Sequence, residues 1–252
     1  SWNGWIDEFR FDVGVARSTS TFIPNGGPYD TEASAICRGL FYARKTDGSI
    51  NVFAGTLKRL WLLDNTILRW DEVSQSATAY ASLPATHHWQ FAQFGSIVIA
   101  VKPSTNPQAF TLGSSTAFAD LSGSPQQAAF IAIVGRFVVM SGLTSNPFRI
   151  HWSALGSAVG WTQGTNSSDF QDLPDGGIVR GVAGGEYGVI FQETAMRRMV
   201  YQPGSVVIFS IEKITDDKGL VAPYSLIRAG EKIFWLAAQG FHGMTTTGIP
   251  EA

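Results

Sequence analysis

Hydrophobic and polar positions in this chain form short apolar runs broken by glycine, without the 3.6-residue spacing of amphipathic helices. Five times an apolar segment, a two-residue turn containing Gly and a second apolar segment follow one another. The turns are Asp47-Gly48, Gly95-Ser96, Gly135-Arg136, Gly185-Glu186 and Gly230-Glu231, with successive glycines 47, 40, 50 and 45 residues apart. Each dipeptide can supply the positive φ that a two-residue hairpin loop requires, so each predicts strand, turn, strand. Residues 89–94 lead into 97–101, 130–134 into 137–140, 179–183 into 187–191, and 226–229 into 232–237. In Ile97-Val98-Ile99-Ala100-Val101 apolar side chains occupy consecutive positions. A strand wet on one face would alternate, so these second strands are expected to be covered on both faces.

Further short strands are expected after each hairpin: 58–63 and 67–73, 108–112 and 118–121, 149–153, 196–201 and 206–211, and 240–244. The third unit then loosens around Trp161, and the fifth stops after its third strand. Four strands in ~40–50 residues is the period of a propeller blade, which cannot bury both faces alone and must stack on neighbours. The expected fold is therefore all-β, a β-propeller-like array of about five four-stranded blades with the last incomplete; an irregular β-sandwich is the bland alternative. Residues 128–132 are the most helix-like patch, and they run straight into β-branched residues.

The first ~30 residues fall outside the repeat. Ile6-Asp7-Glu8-Phe9-Arg10-Phe11 alternates as a half-buried strand does, and Pro24-Asn25-Gly26-Gly27-Pro28 reads as a linker. Two domains follow, 1–30 and 31–252.

Composition narrows the function. Only 15% of residues are charged and the net charge is −2, which leaves no electrostatic footprint for nucleic acid or anionic lipid. The single cysteine, Cys37, excludes an internal disulfide framework and a multi-cysteine zinc site. No apolar run approaches the ~20 residues of a membrane-spanning helix.

Each catalytic template is weak. His87, His88, His151 and His242 show no zinc-binding spacing, and no Gly-x-Ser-x-Gly turn exposes a nucleophile. The glycine-rich run 181–188 precedes Val189-Ile190-Phe191, strand formers where a phosphate-cradling loop needs a helix, so it reads as a hairpin turn. Asp169, Asp172 and Asp175 recur every third residue in what reads as a solvent loop, with Asp216-Asp217 in another. Paired carboxylates of this kind could serve glycoside hydrolysis or calcium binding, though an interface loop fits better. The basic pairs Lys58-Arg59 and Arg197-Arg198 fall on expected third strands, as solvated faces or inter-blade ion pairs. No catalytic, cofactor or metal residue is assigned.

Beyond this pattern, residues ~33–252 resemble the nozzle proteins of short-tailed bacteriophages, the tail tubular protein B-like or tail stabilisation family. Matching stretches are Cys37-Arg38-Gly39, Asn51-Val52-Phe53-Ala54-Gly55-Thr56, Phe91-Ala92-Gln93-Phe94-Gly95, Ser115-Thr116-Ala117-Phe118-Ala119-Asp120-Leu121 and Trp152-Ser153-Ala154-Leu155-Gly156. The most distinctive are 168–177 and 184–198. The resemblance implies a non-enzymatic virion protein assembling into a ring, typically a hexamer. The ring would lie beyond the tail adaptor, touch fibres or spikes, and pass genome DNA through its lumen. Family members are much longer, which implies that the chain is a fragment or that further parts lie beyond Ala252. Gly4-Trp5-Ile6-Asp7-Glu8-Phe9-Arg10 resembles the closing strand of a laminin-G or concanavalin-like module. That likeness, with Trp2, Trp5 and Trp89, supports the second expectation, a tail adhesin recognising host glycans; a glycan hydrolase resting on the aspartates is third.

Overall fold

The structure, a computed structural model, describes residues 36–75, 80–84, 86–245 and 247–250. A division of the chain falls between Ile36 and Cys37. The expected linker, the strand at 6–11 and the laminin-G-like stub lie outside the described residues.

Among the described residues nineteen strands form five antiparallel sheets, each built from consecutive strands. Sheet A contains β1 (Leu40–Arg44), β2 (Ile50–Gly55), β3 (Leu60–Asp64) and β4 (Arg69–Glu72). Sheet B contains β5 (Gln90–Phe94), β6 (Ile97–Val101), β7 (Gln108–Thr111) and β8 (Ala119–Asp120). Sheet C comprises β9 (Ala128–Val134), β10 (Phe137–Leu143), β11 (Arg149–Trp152) and β12 (Asp169–Asp172). Sheet D comprises β13 (Val179–Ala183), β14 (Gly188–Gln192), β15 (Met196–Tyr201) and β16 (Phe209–Thr215). Sheet E has three strands, β17 (Ile227–Ala229), β18 (Lys232–Ala237) and β19 (Gly240–Thr245), preceded by a 3₁₀ turn at Pro223–Ser225. The sheets stand radially as blades. This is a five-bladed β-propeller.

Three of the five hairpins have the two-residue turn expected. Gly95, Gly135 and Gly230 take φ of 58°, 54° and 63°, while Ser96, Arg136 and Glu231 keep negative φ, the pattern of a type II′ turn. The other two loops are longer than expected. Between β1 and β2 the chain runs from Lys45 to Ser49, closed by Lys45 N–H to Ser49 O at 2.8 Å. Between β13 and β14, residues 184–187 leave sheet D to bond sheet C: Gly135 N–H donates to Gly185 O at 2.6 Å, and Gly185 N–H to Ile133 O at 2.9 Å. The inter-sheet bonds at Gly185 thus replace a tight turn.

Burial explains the apolar runs. The helix-like patch is strand β9, whose residues all lie buried except Ile133, because neighbours cover both its faces. Four hydrophobic clusters fill the junctions. Phe53, Leu60, Val98 and Phe110 join A to B; Ile99, Val101, Val138 and Met140 join B to C. Phe137, Trp152, Ile190 and Phe209 join C to D, and Phe191, Met196, Ile233 and Trp235 join D to E. Ile99 and Val98 show the consequence of a two-sided strand: adjacent residues serve clusters on opposite faces.

Indole N–H groups tie loops to these junctions. Trp89 Nε1 donates to Thr56 O at 2.8 Å across A and B, Trp152 Nε1 to Ser167 O at 2.9 Å, and Trp235 Nε1 to Lys218 O at 3.0 Å. Polar clasps close the turn ends of the inner strands. Gln93 accepts from Arg44 N–H at 3.0 Å and donates to Arg44 O at 2.7 Å, while Arg228 Nη1 donates to Gly184 O.

The C–D clasp depends on a missing side chain, since a Cβ on Gly184 would overlap the Ile133 carbonyl. Gly184→Ala is expected to lower stability by about 1–3 kcal/mol in urea unfolding, the range of an overpacked site. Gly204→Ala, which meets nothing within 4 Å and suffers only from its positive φ, should lose less.

Candidate functional site

The aspartate loop is the strongest candidate from the sequence, and the structure reorganises it. Asp169–Asp172 is not a solvent loop but strand β12, the outer strand of sheet C. Register places Asp172 directly opposite Arg149. The guanidinium grips that carboxylate in a fork, Nε to Oδ1 at 2.6 Å and Nη2 to Oδ2 at 2.9 Å. It also lies 3.4 Å from the Phe170 ring centroid. The bonds from Arg149 hold the Asp172 carboxyl below its ordinary value. Asp169 Oδ1 instead accepts from the Phe170 N–H at 2.9 Å.

Asp175 belongs to a second arrangement, the buckle between sheets C and D. Its carboxylate meets Lys213 at 3.1 Å and Arg197 at 2.5 Å, and Lys213 also meets Asp216 at 2.7 Å. These bonds, Lys213 first, lower the Asp175 pKa. Arg197 is buried, and its Nε donates to Gln192 Oε1 at 2.8 Å. Gln192 is fully buried and donates in turn to Leu173 O and Gly177 O, both at 2.8 Å. Gly176 and Gly177, at φ of 107° and 83°, let this loop lie against Ala195 and Glu193. Asp172 and Asp175 thus face cations and Asp169 faces an N–H group, so these side chains serve as structural partners here.

The other singled-out residues do not converge. His151 sits in β11 between the rings of Trp161 and Phe170, with burial lowering its pKa. His242 stacks on Trp235 in β19. Among the described contacts, His87 and His88 share a partner: the Tyr224 ring lies 6.4 Å and 4.6 Å from theirs. Burial, then Arg38 and His87, lowers the His88 pKa. Among the described residues no three His, Cys, Asp or Glu side chains gather as metal ligands. Cys37 is exposed. Residues 181–188 run strand, loop, strand, with no helix to receive a phosphate. Lys58 and Arg59 precede β3 instead of lying on it, and Arg59 pairs with Glu72 within sheet A at 2.7 Å. Arg197 and Arg198 do lie on the third strand of their sheet.

Sequence reading missed the axial cavity. It measures about 300 Å³ and is lined by the inner strands of sheets B, C and D and by the segment entering sheet E. Polar groups reach it from Gln90, Gln93 and Arg228, and Phe91, Phe130 and Leu226 supply apolar wall. Arg228 is committed to the carbonyls of Gly184 and Gly230. No nucleophile and base face each other across this space among the lining residues. Also missed was Lys102, fully buried at the end of β6 beside the Trp89 ring.

No family model matches the chain, and no curated protein matches it. Solved structures do. The extracellular domain of a hybrid two-component system from B. thetaiotaomicron superposes with a TM-score of 0.58 at 9% identity. It covers 88% of this chain and 28% of its own. An auxiliary nutrient binding protein from Bacteroides thetaiotaomicron gives 0.52 at 9% identity, over 84% of this chain and 56% of that one. Both likenesses show the fold alone. The chain spans only about a quarter to a half of these proteins.

Two measurements probe the buried polar groups. Arg197→Met leaves the Gln192 oxygen without its donor, and about 1–3 kcal/mol of stability should go with it. Burial lowers the Lys102 pKa from 10.5 to about 8. Between those values the unfolded chain holds a proton that the folded chain does not, so stability should rise with pH across that window. Melting curves should show this rise, and Lys102→Met should flatten it.

Proposed function

We propose that the protein is a non-enzymatic structural subunit of a bacteriophage tail, part of a nozzle-like ring that carries the genome past the adaptor and contacts fibres or spikes. The observation that carries this reading is what the family-like run 168–198 does in the fold. Asp172 pairs with Arg149, Asp175 with Arg197 and Lys213, and Gln192 ties the loop at 173–177 to sheet D. Asp172, Asp175 and Gln192, within the stretches that carry the resemblance, are engaged in fastening strands and loops, a structural use that supports the reading. The low charge also suits a conduit, because each Lys or Arg pairing with phosphate would slow sliding DNA.

An adhesin for host glycans is the second reading. Exposed Tyr42 and Trp70 on sheet A favour it, since aromatic faces stack on sugar rings. Antibodies raised against the protein should decorate the tails of short-tailed virions in electron micrographs, and a glycan array should give no saturable signal. Absence of the protein from virions would sink both readings; saturable glycan binding would replace the nozzle with the adhesin.

A further inference from the structure

The tail reading leaves the axial cavity unused. Strands β5, β9 and β13 line it, and each stands at the end of its sheet, bonded to a second strand on one side only. The opposite edges, turned to the axis, present backbone N–H and C=O groups along walls whose side chains are largely apolar. At about 300 Å³ the space sits at the lower end of ligand pockets, with room for a small molecule and none for a folded partner.

The two ends of the cavity differ in chemistry. At the turn end stands Arg228, the one charged residue among those that line it. Its Nε donates to Gly230 O at 2.8 Å and its Nη1 to Gly184 O. A Cβ on Gly185 would fall 2.6 Å from Nη1, so that glycine gives the guanidinium its seat. Two of the five N–H donors are used in this way, and three remain. Among the described residues Arg228 makes no ion pair. Gln93 lies at the same end, beside the Gly95 turn, and Gln90 lies three residues back along β5, about 10 Å away at the rise of a strand. Gln90 is half-buried, and among the described residues its side-chain amide has no hydrogen-bond partner. Phe91, Phe130 and Leu226 supply apolar wall between the two ends.

We propose that the cavity binds a small carboxylate that carries a neutral hydroxyl at its far end. The carboxylate sits on Arg228, the apolar body lies against Phe91, Phe130 and Leu226, and the hydroxyl meets the Gln90 amide. Charge selects the acid group. An arginine without a counter-ion, in a cavity lined by no carboxylate, favours one negative charge, and its planar fork matches a carboxylate better than a point anion. The amide offers both a donor and an acceptor, which suits a hydroxyl that is also both. Because two backbone carbonyls already hold the guanidinium in place, little of its freedom remains to be lost on binding. The inference goes beyond the tail reading and does not rest on it.

Calorimetric titration of the whole chain with 6-hydroxyhexanoate tests it, with hexane-1,6-diol and hexanoate as probes that each lack one polar end. The hydroxy acid should bind saturably at one site with a Kd of about 1 mM, the range open to so small a ligand. The diol should bind about tenfold more weakly or worse. Arg228→Gln should cost the hydroxy acid about tenfold while leaving the diol unchanged, a selective loss that a general loosening of the fold would not produce. Gln90→Leu breaks no bond, so its melting curve should match the parent's, and its preference for 6-hydroxyhexanoate over hexanoate should vanish. Should Arg228→Gln fail to fold, the diol and Gln90→Leu comparisons decide alone. Three outcomes overturn the proposal: no saturable binding of 6-hydroxyhexanoate, equal binding of the diol, or affinities unchanged in the folded variants. Absence of the protein from virions would sink the tail reading and leave this site standing.

Discussion

Two-sided coverage is the constraint from which the architecture follows. A sheet whose second strand is apolar at every position has no face to give to water, so it must be sandwiched. Ile97–Val101 in sheet B states the requirement most plainly, with Val98 and Ala100 in one cluster and Ile99 and Val101 in the next. Stacking sheets radially satisfies it repeatedly with one local motif. Aromatic rings interlock in two of the junctions: Phe53 meets Phe110 and Phe118 edge to face between A and B, as Phe209 meets Phe137 and Trp152 between C and D.

Polar groups in such a structure are pressed into holding the stack together. Gln192 and Arg197 lie inside the C–D buckle, and Gln93 bridges the inner strands of A and B. Buried polar side chains of this kind are tolerable only when their partners are supplied, and here the partners are largely backbone carbonyls of the loops being fastened. Sheet identity and loop position are thereby coupled. The same economy explains why a chain with so few charges places them as forks and clusters, Arg149 with Asp172 and Asp175 with Arg197 and Lys213, and not as an even coat.

Much of the blade order was legible because its signals are local. Gly95, Gly135 and Gly230 mark tight turns through a backbone conformation that other residues rarely adopt. Burial on two faces could be read from Ile97-Val98-Ile99-Ala100-Val101 without knowing what covers it. Features that rest on distant partners were misread or unseen. Asp169–Asp172 has the composition of a turn, and it becomes a strand because Arg149, twenty-three residues earlier, lies opposite Asp172. The hairpin expected at Gly185-Glu186 is there, but its loop spans 184–187 instead of two residues, because Gly185 bonds Ile133 and Gly135 of the neighbouring sheet. Lys102 carries no local sign that Trp89 will cover it, and the axial cavity is a property of several inner strands together.

The four clusters also set how the molecule comes apart. Each cluster couples only adjacent sheets, so cooperativity passes from neighbour to neighbour as in a linear repeat array. Among the described residues, hydrophobic clusters brace sheets B, C and D on two faces and sheets A and E on one. Amide protons in the outermost sheets should therefore exchange through openings of lower free energy than those in the middle three. Sheet C, joined to B by one cluster and to D by another, should keep its protection longest.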